Sequence, residues 1–312
     1  MKKIFIEIPS WLGDAIMATP AITNIIKSYP DAKITLLGSF VSTKAFINYE
    51  NIEKIIIDDT KKSKNRFKAL INLAKSLGSF DLALSFRRSF SSKFMMFFIK
   101  AKQKHNYKRY TKEEIHLVLR YNDFVNRVLK LNNSAGDLRL NFSPFLYKNK
   151  TLGVNPGATY GSAKRWYAKE FAKVATSLAS KYDIVIFGGP NEVDIANEIE
   201  DELKNSGIKN YENLAGKTSV QELIEKIAGL ELFVTNDSGP MHIAAAYKIK
   251  TIAIFGPTKF SETSQWNNPN GKIITKNLEC SPCMKRECPL KHHNCMKQIS
   301  ADDVLEAIKE FE

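Results

Sequence analysis

Short apolar runs alternate with amphipathic stretches along nearly the whole chain. This alternation is typical of a parallel sheet whose strands are connected by helices on both of its faces. The predicted strands are Lys3–Ile8, Lys33–Leu37, Glu53–Ile57, Leu82–Phe86, Thr151–Asn155, Asp183–Phe187, Leu230–Thr235 and Thr251–Phe255. The predicted helices are Asp14–Ser28, Asn65–Leu77, Glu113–Leu131, Lys169–Ser180, Glu192–Lys204, Val220–Ile227, His242–Tyr247 and Ala301–Phe311. The pattern therefore predicts an α/β fold of the doubly wound class.

The alternation is interrupted once, by the polar stretch 141–150 that contains Pro144, and then resumes. A chain of 312 residues is long for one ordinary domain, and it suits two domains of about 150 residues each. We therefore predict two Rossmann-like domains covering residues 1–148 and 149–312. The last predicted helix, Ala301–Phe311, either belongs to the second domain or packs back on the first.

The excess positive charge is confined to the first half of the chain. The net charge is +13, and residues 1–150 contain 27 Lys or Arg against 12 Asp or Glu, whereas the remainder contains 19 against 21. A one-sided excess indicates a surface that meets nucleic acid, an anionic membrane or a phosphorylated substrate. Some of these residues surround the apolar run Phe94–Ile99, which is either a core helix or a surface that meets a membrane. They are Arg87, Arg88, Lys93, Lys100, Lys102, Lys104, His105, Lys108, Arg109 and Arg120.

Two of these basic residues, Arg87 and Arg88, directly follow the predicted strand Leu82–Phe86. In open α/β sheets, ligands bind beyond the carboxyl ends of the strands. Guanidinium groups at that position suit bidentate recognition of phosphate or carboxylate groups. We therefore expect both arginines to contact an acidic group on a substrate.

The start of the chain weakly resembles a signal peptide, because two lysines precede several apolar residues. Glu7, Pro9 and Asp14 interrupt that apolar run, so we interpret it as a buried first strand instead. No stretch reaches the roughly 18–20 apolar residues that span a membrane. The expected compartment is the cytoplasm.

Gly13 and Asp14 connect the first predicted strand to the first predicted helix. Asp14 is either the N-cap of that helix or a carboxylate at the sheet edge that can take a proton from a hydroxyl group. The G-x-G-x-x-G fingerprint of dinucleotide-binding proteins is absent at this connection. The connection is therefore a candidate catalytic position and not a dinucleotide site.

The loop NPGATYGSAKRW, residues 155–166, follows the first strand of the second half. Its small residues allow backbone N–H groups to approach an anion, and Lys164 and Arg165 add positive charge. The alternative is a flexible loop with solvated basic residues. Its spacing differs from that of a Walker P-loop, so ATP hydrolysis is not implied.

The segment NDSGPMH, residues 236–242, ends a strand and begins a helix rich in small residues. The exposed N–H groups and the dipole of such a helix start bind phosphate well. Ser238 can donate a hydrogen bond, and Gly239 allows a ligand to approach the backbone. We expect Asp237 to orient Lys164 or neighbouring amides, and we favour a structural role for His242.

Gly188, Gly189 and Glu192 follow another predicted strand. A carboxylate here either accepts hydrogen bonds from ribose hydroxyls, as in other doubly wound nucleotide sites, or caps the next helix.

All four cysteines lie in one short segment, together with His292 and His293. They are Cys280, Cys283, Cys288 and Cys295. The first pair has the C-x-x-C spacing of zinc ligands, but the others fit no standard zinc pattern. We favour thiols in a compact loop over a structural metal site, and we favour a catalytic thiol least.

Four motifs together resemble glycosyltransferase family 9, the ADP-heptose:lipopolysaccharide heptosyltransferases. They are PSWLGDAIMATPA, NPGATYGSAKRW, NDSGPMHIAAA and FGPT, in this order along essentially the whole chain. The cysteine segment is most similar to that of the second heptosyltransferases of the inner core (heptosyltransferase II). The resemblance implies a GT-B fold, in which two Rossmann-like domains face each other across a cleft. The first domain would bind the acceptor and the second the ADP-heptose.

The resemblance also implies roles for single residues. Asp14 is the implied catalytic base, and Lys164 assists catalysis by meeting the donor diphosphate. The implied donor-binding residues are Thr159, Tyr160, Lys164, Gly189, Glu192 at the ribose, Thr218 near the adenine, Asp237, Ser238, Gly239 and His242. Arg87, Arg88 and Arg120 are assigned to the acceptor. Neither a metal nor another cofactor is implied.

The implied reaction is the inverting transfer of heptose from ADP-L-glycero-D-manno-heptose to the heptose of the inner core, on heptosyl-Kdo-lipid A. The resemblance places the enzyme in the cytoplasm, peripheral to the anionic inner membrane, without a nucleic-acid partner. One alternative is heptosyltransferase I or III, which uses a different acceptor. Another is a non-enzymatic module that binds anionic lipid or nucleic acid through the basic first half. That module explains the charge asymmetry but not the phosphate motifs.

Overall fold

The computed structural model describes residues 1–311, and the chain divides into two compact units. The first unit runs from Met1 to Asn141, and the second begins at Phe142. Each unit is built on one sheet of parallel strands connected by helices, which confirms the predicted α/β class. Among residues 1–311, no helix combines the length and the apolar character needed to cross a bilayer.

The first unit consists of five strands and six helices. The strands are β1 (Lys3–Glu7), β2 (Lys33–Gly38), β3 (Ile52–Ile57), β4 (Ser79–Ser85) and β5 (Lys100–Asn106). The helices are α1 (Leu12–Met17), α2 (Thr19–Ser28), α3 (Phe40–Thr43), α4 (Arg66–Ser76), α5 (Phe90–Phe98) and α6 (Leu117–Leu129). The sheet has the order β3-β2-β1-β4-β5, and all neighbouring strands pair in parallel. The central position of β1 explains why Ile4 and Ile6 are completely buried.

Two helix pairs pack against this sheet. Leu70 of α4 and Met95 of α5 belong to one core cluster with Phe5 of β1. Burying a side chain of this size contributes roughly 1.5–3 kcal/mol. The second pair, α2 and α6, is joined by a buried hydrogen bond in which Asn24 Nδ2 donates to Asn122 Oδ1 at 2.8 Å. Packing thus fixes the helices that follow β1 and β4, and these two strands lead into the candidate site.

The second unit consists of six strands and seven helices among the described residues. The strands are β6 (Thr151–Asn155), β7 (Asp183–Ile186), β8 (Tyr211–Asn213), β9 (Leu232–Asn236), β10 (Lys250–Ile254) and β11 (Gly271–Ile274). The helices are α7 (Ala168–Leu178), α8 (Val193–Asn205), α9 (Val220–Ala228), α10 (Gly239–Ala246), α11 (Phe260–Thr263), α12 (Asn294–Lys297) and α13 (Ala301–Lys309). The sheet has the order β11-β10-β9-β6-β7-β8 and is parallel throughout. The strand order reverses between β6 and β9, which is where such sheets bind ligands.

The core of the second unit surrounds Trp166, which is completely buried. The ring of Trp166 packs edge-on against Phe171 with 4.8 Å between centroids, and its Nε1 donates to the carbonyl of Ile299 at 2.9 Å. Val304 and Ile308 of α13 belong to the same core cluster. The last helix therefore packs within the second unit.

The division between the units lies before residue 142, earlier than the predicted boundary after residue 148. The segment that follows is tied to the second unit by hydrogen bonds. The hydroxyl of Tyr247 bonds to both the N–H and the carbonyl of Phe142, and the N–H of Phe145 donates to the carbonyl of Glu225. The polar stretch around Pro144 has the composition of a linker, but its backbone is held in place.

Candidate functional site

Most of the predicted donor-binding residues lie along one edge of the sheet in the second unit. Because all its strands are parallel, their carboxyl ends meet at the same edge. The loops after β9, β6, β7 and β8 leave that edge side by side, in that order. They carry Asp237, Ser238 and Gly239 after β9, Thr159, Tyr160 and Lys164 after β6, Gly189 and Glu192 after β7, and Thr218 after β8. Segments that are distant in sequence thus form one continuous surface.

The centre of this edge is an ion pair between Lys164 and Asp237. The Nζ of Lys164 lies 2.5 Å from Asp237 Oδ2, and the same carboxylate oxygen accepts a hydrogen bond of 2.6 Å from the hydroxyl of Thr258. The ring of Tyr160 lies below the ammonium group, 4.9 Å from Nζ to the centroid. The Lys164 side chain is 13% exposed and that of Asp237 is 4% exposed. The lysine is therefore a fixed cation that a ligand can still reach.

Two asparagines at the strand ends connect the loops on either side of this ion pair. Asn236 at the end of β9 accepts a hydrogen bond from the backbone N–H of Trp166 at 3.1 Å and donates to the carbonyl of Pro156 at 2.7 Å. Asn155 at the end of β6 donates to the hydroxyl of Ser238 at 3.3 Å. The sequence motifs contained both asparagines, but no role was predicted for them. The sequence feature that could have identified them is a polar amide side chain at the end of each of two apolar strands.

The start of α10 is the second possible anion contact at this edge. Ser238 is the N-cap residue, but its side chain makes no capping hydrogen bond within the described residues. The first turn of α10 begins with Gly239, so backbone there is accessible, as a phosphate site requires. His242 lies further into the helix and is 3% exposed. Its burial agrees with the structural role that the sequence favoured.

The carboxylate of Glu192 lies beside the loop that follows β6. Glu192 is 8% exposed, and its Oε2 accepts a hydrogen bond of 2.8 Å from the N–H of Gly189. Gly157 lets it approach, because a Cβ at that position would lie 2.1 Å from the Glu192 carboxyl carbon. The next loop, which carries Thr218, is attached to this one by a hydrogen bond from Gly216 N–H to the carbonyl of Gly188. The carboxylate is thus presented at the edge between two fixed loops.

The cysteine segment packs on the loop that contains Lys164. The backbone carbonyl of Arg286 accepts a hydrogen bond from the N–H of Ala163 at 3.0 Å, and the hydroxyl of Tyr160 donates to the carbonyl of Met284 at 2.9 Å. His293 Nε2 lies 2.9 Å from the carbonyl of Ala163. The space above Gly161 is filled by Arg286, whose carbonyl would lie 2.2 Å from an added Cβ. The cysteine segment therefore holds the loop that contains Lys164 in its conformation.

The four cysteines line one small cavity of about 20 Å³ and are free thiols. Cys280, Cys283 and Cys288 are partly exposed, whereas Cys295 is buried. In residues 1–311, no group of three or more His, Cys, Asp or Glu side chains is arranged to hold a metal ion. Burial raises the pKa of Cys295 to about 11, and the neighbouring cysteines add to the effect.

The reactivity of Cys295 is expected to differ from that of the other thiols. Only the thiolate reacts with iodoacetamide, so a thiol with a pKa of about 11 reacts slowly near neutrality and faster as the pH rises towards that value. We expect Cys295 to be alkylated last in the folded protein, as measured by peptide mass spectrometry over time. In the unfolded protein all four cysteines should react at similar rates. Modification of Cys295 together with Cys280 in the folded state would contradict this expectation.

In the first unit, Asp14 lies in the first turn of α1, beyond the carboxyl end of β1. The N-cap of this helix is Trp11, and no side chain caps it. The N-cap interpretation of Asp14 is therefore wrong, because the N-cap lies three positions earlier and Asp14 is the third residue of the helix. Its side chain is partly exposed at the sheet edge, which is where the alternative interpretation, a proton acceptor, requires a carboxylate.

Asp14 lies in the electrostatic surroundings of a tyrosine pair. Burial raises the pKa of Tyr121 well above its ordinary value, and the charge of Asp14 raises it further, whereas that of Arg120 lowers it. The neighbouring Tyr107, whose ring centroid is 5.1 Å from that of Tyr121, has a pKa raised mainly by burial and lowered by Arg120 and Arg88. The predicted base and two of the three predicted acceptor arginines thus act electrostatically on one aromatic pair.

Arg87, the third predicted acceptor residue, is engaged in a buried ionic network. Its Nη1 lies 3.2 Å from both Glu7 Oε1 and Asp58 Oδ2, and its Nε donates to the carbonyl of Ile8 at 2.7 Å. Glu7 is 1% exposed; burial raises its pKa, and the charge of Arg87 opposes that shift. Within the described residues, Nη2 of Arg87 has no hydrogen-bond partner. Arg87 therefore holds three strand ends together, while its neighbour Arg88 is exposed.

Comparison with known proteins agrees with this architecture. Residues 123–294 match the profile of glycosyltransferase family 9 (heptosyltransferase). Lipooligosaccharide heptosyltransferase 2 of Campylobacter jejuni serotype O:2 is 46% identical, over 98% of this chain and 97% of that protein. The structure of Escherichia coli ADP-heptose lipopolysaccharide heptosyltransferase II gives a TM-score of 0.82 at 23% identity, covering 99% of this chain and 98% of that one. The Escherichia coli heptosyltransferase WaaC with ADP gives 0.77 at 17% identity, covering 99% of each chain. These structures confirm the predicted GT-B fold.

Proposed function

This chain belongs to glycosyltransferase family 9, and on that premise we propose that it is the second heptosyltransferase of the lipopolysaccharide inner core. It transfers heptose from ADP-L-glycero-D-manno-heptose to the heptose of the inner core. The observation that carries this proposal is the similarity to a Campylobacter heptosyltransferase 2 over almost the full length of both chains. A similarity limited to the nucleotide-binding half would support only a shared donor.

In the proposed donor complex, the diphosphate lies between Lys164 and the first turn of α10. Asp237 fixes the ammonium group of Lys164, and the helix start adds partial positive charge. Glu192 accepts hydrogen bonds from the ribose hydroxyls, and Thr218 lies on the adenine side. The loop residues Thr159, Tyr160 and Gly189, together with Ser238 and Gly239, complete the proposed donor contacts.

The proposed reaction is a single displacement with inversion at the anomeric carbon. A hydroxyl oxygen of the acceptor bonds to C1 of the donor heptose as the bond from C1 to the diphosphate oxygen breaks, and Asp14 takes the hydroxyl proton. Lys164 and the N–H groups of α10 stabilise the charge on the departing ADP. A preorganised donor of this kind contributes roughly 2.7–4 kcal/mol in other enzymes. The proposed chemistry uses no metal ion.

In the proposed acceptor complex, Arg88 and Arg120 bind acidic groups of the core sugar, and Arg87 positions the strand ends around them. The acceptor, heptosyl-Kdo-lipid A, is anchored in a membrane by its lipid. The enzyme therefore works at the cytoplasmic face of the inner membrane, and the basic first half of the chain supports this location. Nucleic acid has no part in the proposed function.

Gly157→Ala is expected to weaken ADP binding about tenfold. The added methyl group forces the Glu192 carboxylate away from its present position, because the Cβ would lie 2.1 Å from the carboxyl carbon. Isothermal titration calorimetry with ADP measures the effect. Gly136→Ala is the control, since no atom lies within 4 Å of a Cβ there. Equal ADP affinity in both variants and in the wild type would remove Glu192 from the proposed ribose contact.

The proposed function is tested by incubating the protein with ADP-heptose and defined truncated cores, followed by mass spectrometry of the products. We expect the mass of one heptose to be added to a core that ends in a single heptose on Kdo. Transfer only to a core without heptose would identify a heptosyltransferase I, and transfer only to a core with two heptoses a heptosyltransferase III. Absence of transfer to all three cores would refute the proposed function.

A further inference from the structure

An exposed aromatic surface lies on α4 and α5 of the first unit. Five phenylalanine rings contact one another in a row, with centroid distances between 5.1 and 6.3 Å. Three of them, Phe67, Phe90 and Phe97, are 52%, 72% and 76% exposed. We call this surface the aromatic ridge, and it consists of Phe67, Phe90, Phe94, Phe97 and Phe98. Contiguous exposed apolar surface of this kind usually marks an interaction site.

Phe94 and Phe98 of the ridge are partly buried against the core of the first unit, but the three exposed ring side chains of the ridge are not required to cover it. The opposite side of α5 already does so, because Met95 and Met96 are 0% and 1% exposed. The core-helix interpretation of the run Phe94–Ile99 is therefore confirmed, but it accounts for only one side of the helix. A surface helix of a soluble protein ordinarily presents polar residues on its outer side. In α5 the outer side carries phenylalanines, and Lys93 is its single charged residue.

The chain segment that contains the ridge is strongly basic and almost without acidic residues. Between Asp59 and Glu113 the chain contains fifteen Lys or Arg residues and a single acidic residue, Asp81. That one carboxylate already forms an ion pair with Lys102. The exposed lysines close to the ridge in sequence, Lys64, Lys68 and Lys93, form no ion pair within residues 1–311. Lys104 reaches the end of α5, where its Nζ donates to the carbonyl of Phe97 at 2.8 Å.

We propose that the aromatic ridge and the lysines around it dock the first unit onto an anionic lipid bilayer. Phenylalanine side chains such as Phe90 and Phe97 enter the boundary between headgroups and acyl chains, and lysines attract the phosphate groups. Both components are needed. Burial of the apolar rings inserts the surface into the bilayer, and the positive charge of the lysines gives a preference for anionic lipid. Loss of either one therefore weakens the association.

Ring geometry favours a bilayer over single-stranded nucleic acid. Bases stack on free aromatic faces, whereas four of the five ring contacts in the ridge are edge-on, with interplanar angles from 62° to 85°. Rings packed in this way form one continuous apolar surface and shield one another's faces. That surface suits insertion among lipid chains better than stacking with separate bases.

The ridge begins close to the proposed acceptor site. Phe90 is the first residue of α5, after the N-cap Ser89, and Arg88 directly precedes that cap. Docking through Phe90 brings Arg88 to the level of the lipid headgroups. A lipid-anchored acceptor presents its acidic core at the same level. The link between bilayer docking and acceptor binding rests on the proposed function, whereas the proposal of docking itself does not.

Cosedimentation with lipid vesicles tests the proposal on the full chain. The wild type is expected to bind vesicles of phosphatidylethanolamine and phosphatidylglycerol, and to bind phosphatidylcholine vesicles much more weakly. The double variant Phe90→Ser/Phe97→Ser should bind the anionic vesicles at least about tenfold more weakly. The triple variant Lys64→Gln/Lys68→Gln/Lys93→Gln should lose about tenfold or more as well. Leu146→Ser, at an apolar position of the second unit that is 89% exposed, is the control and should bind like the wild type.

Two further measurements separate docking from folding and from catalysis. ADP affinity by calorimetry should be unchanged in every variant, which shows that the second unit is folded, and an unchanged far-UV circular dichroism spectrum and thermal unfolding midpoint show the same for the first unit. Heptose transfer to a lipid-free core should also be unchanged in the ridge variant. If the wild type transfers no heptose but the vesicle results hold, the proposed function fails and the docking surface stands.

The proposal is overturned if the wild type does not cosediment with anionic vesicles, or if the ridge variant binds them as well as the wild type does. It is also overturned if the ridge variant loses affinity for a single-stranded RNA oligonucleotide and not for the vesicles. That result would identify the ridge as a nucleic-acid surface.

Discussion

Asp14→Asn is expected to lower the turnover number at least about 100-fold, with little change in ADP affinity. The substitution keeps the shape of the side chain and removes its ability to accept a proton. Asp14 lies in the first turn of α1 at the edge of the first sheet, whereas the proposed nucleotide contacts all come from the second unit. Steady-state kinetics with ADP-heptose and a core acceptor, together with calorimetry, measure the two effects.

The matched control for Asp14 is Asp31→Asn, an exposed carboxylate of the same unit outside the proposed site. This variant should retain wild-type turnover. Turnover of Asp14→Asn close to that of Asp31→Asn would exclude Asp14 as the base. A loss of turnover accompanied by an equal loss of ADP affinity would indicate a general disturbance of the fold instead.

Lys164→Ala is expected to weaken ADP binding roughly 10- to 100-fold, the range that corresponds to the loss of one hydrogen bond to a charged group. The lysine supplies the fixed cation of the proposed diphosphate site. Its removal also leaves the buried carboxylate of Asp237 with the hydroxyl of Thr258 as its one side-chain partner among residues 1–311. An unpaired negative charge at that position repels the diphosphate and adds to the loss.

A second variant separates these two contributions. Lys164→Ala/Asp237→Asn removes the cation and the carboxylate charge together, so it should recover part of the ADP affinity but remain below the wild type. Lys169→Ala, at an exposed lysine of the neighbouring helix α7, is the control and should bind ADP normally. Calorimetry with ADP measures all three variants. An unchanged dissociation constant in Lys164→Ala would remove the lysine from the diphosphate site.

The central strands could be predicted from sequence because burial on both faces leaves a continuous apolar run. Thr151–Asn155 is a strand with the predicted bounds, and every other predicted strand exists with small differences at its ends. The strands that were not predicted, β5, β8 and β11, each lie at the edge of a sheet. Edge strands are partly exposed, and β5 has the polar sequence KAKQKHN. These segments become strands because they hydrogen-bond to an inner strand, and their local sequence does not show that pairing.

The loops of the candidate site could be located because each one is a local motif at a strand end. The partners of single side chains could not be predicted, because they come from distant parts of the chain. Arg87 illustrates this: its sequence position suggested a ligand contact, but Glu7 and Asp58 reach it from other strands. The buried amides Asn155 and Asn236 were missed for the same reason.

The packing of the cysteine segment on the loop around Lys164 has a consequence for biosynthesis. The carbonyl of Arg286 and the ring of His293 brace a loop that is made more than a hundred residues earlier. While the nascent chain still lacks that segment, strands β6 to β10 can already pair, but the loop has no outer support. The proposed nucleotide site is therefore expected to be complete only after the cysteine segment has left the ribosome.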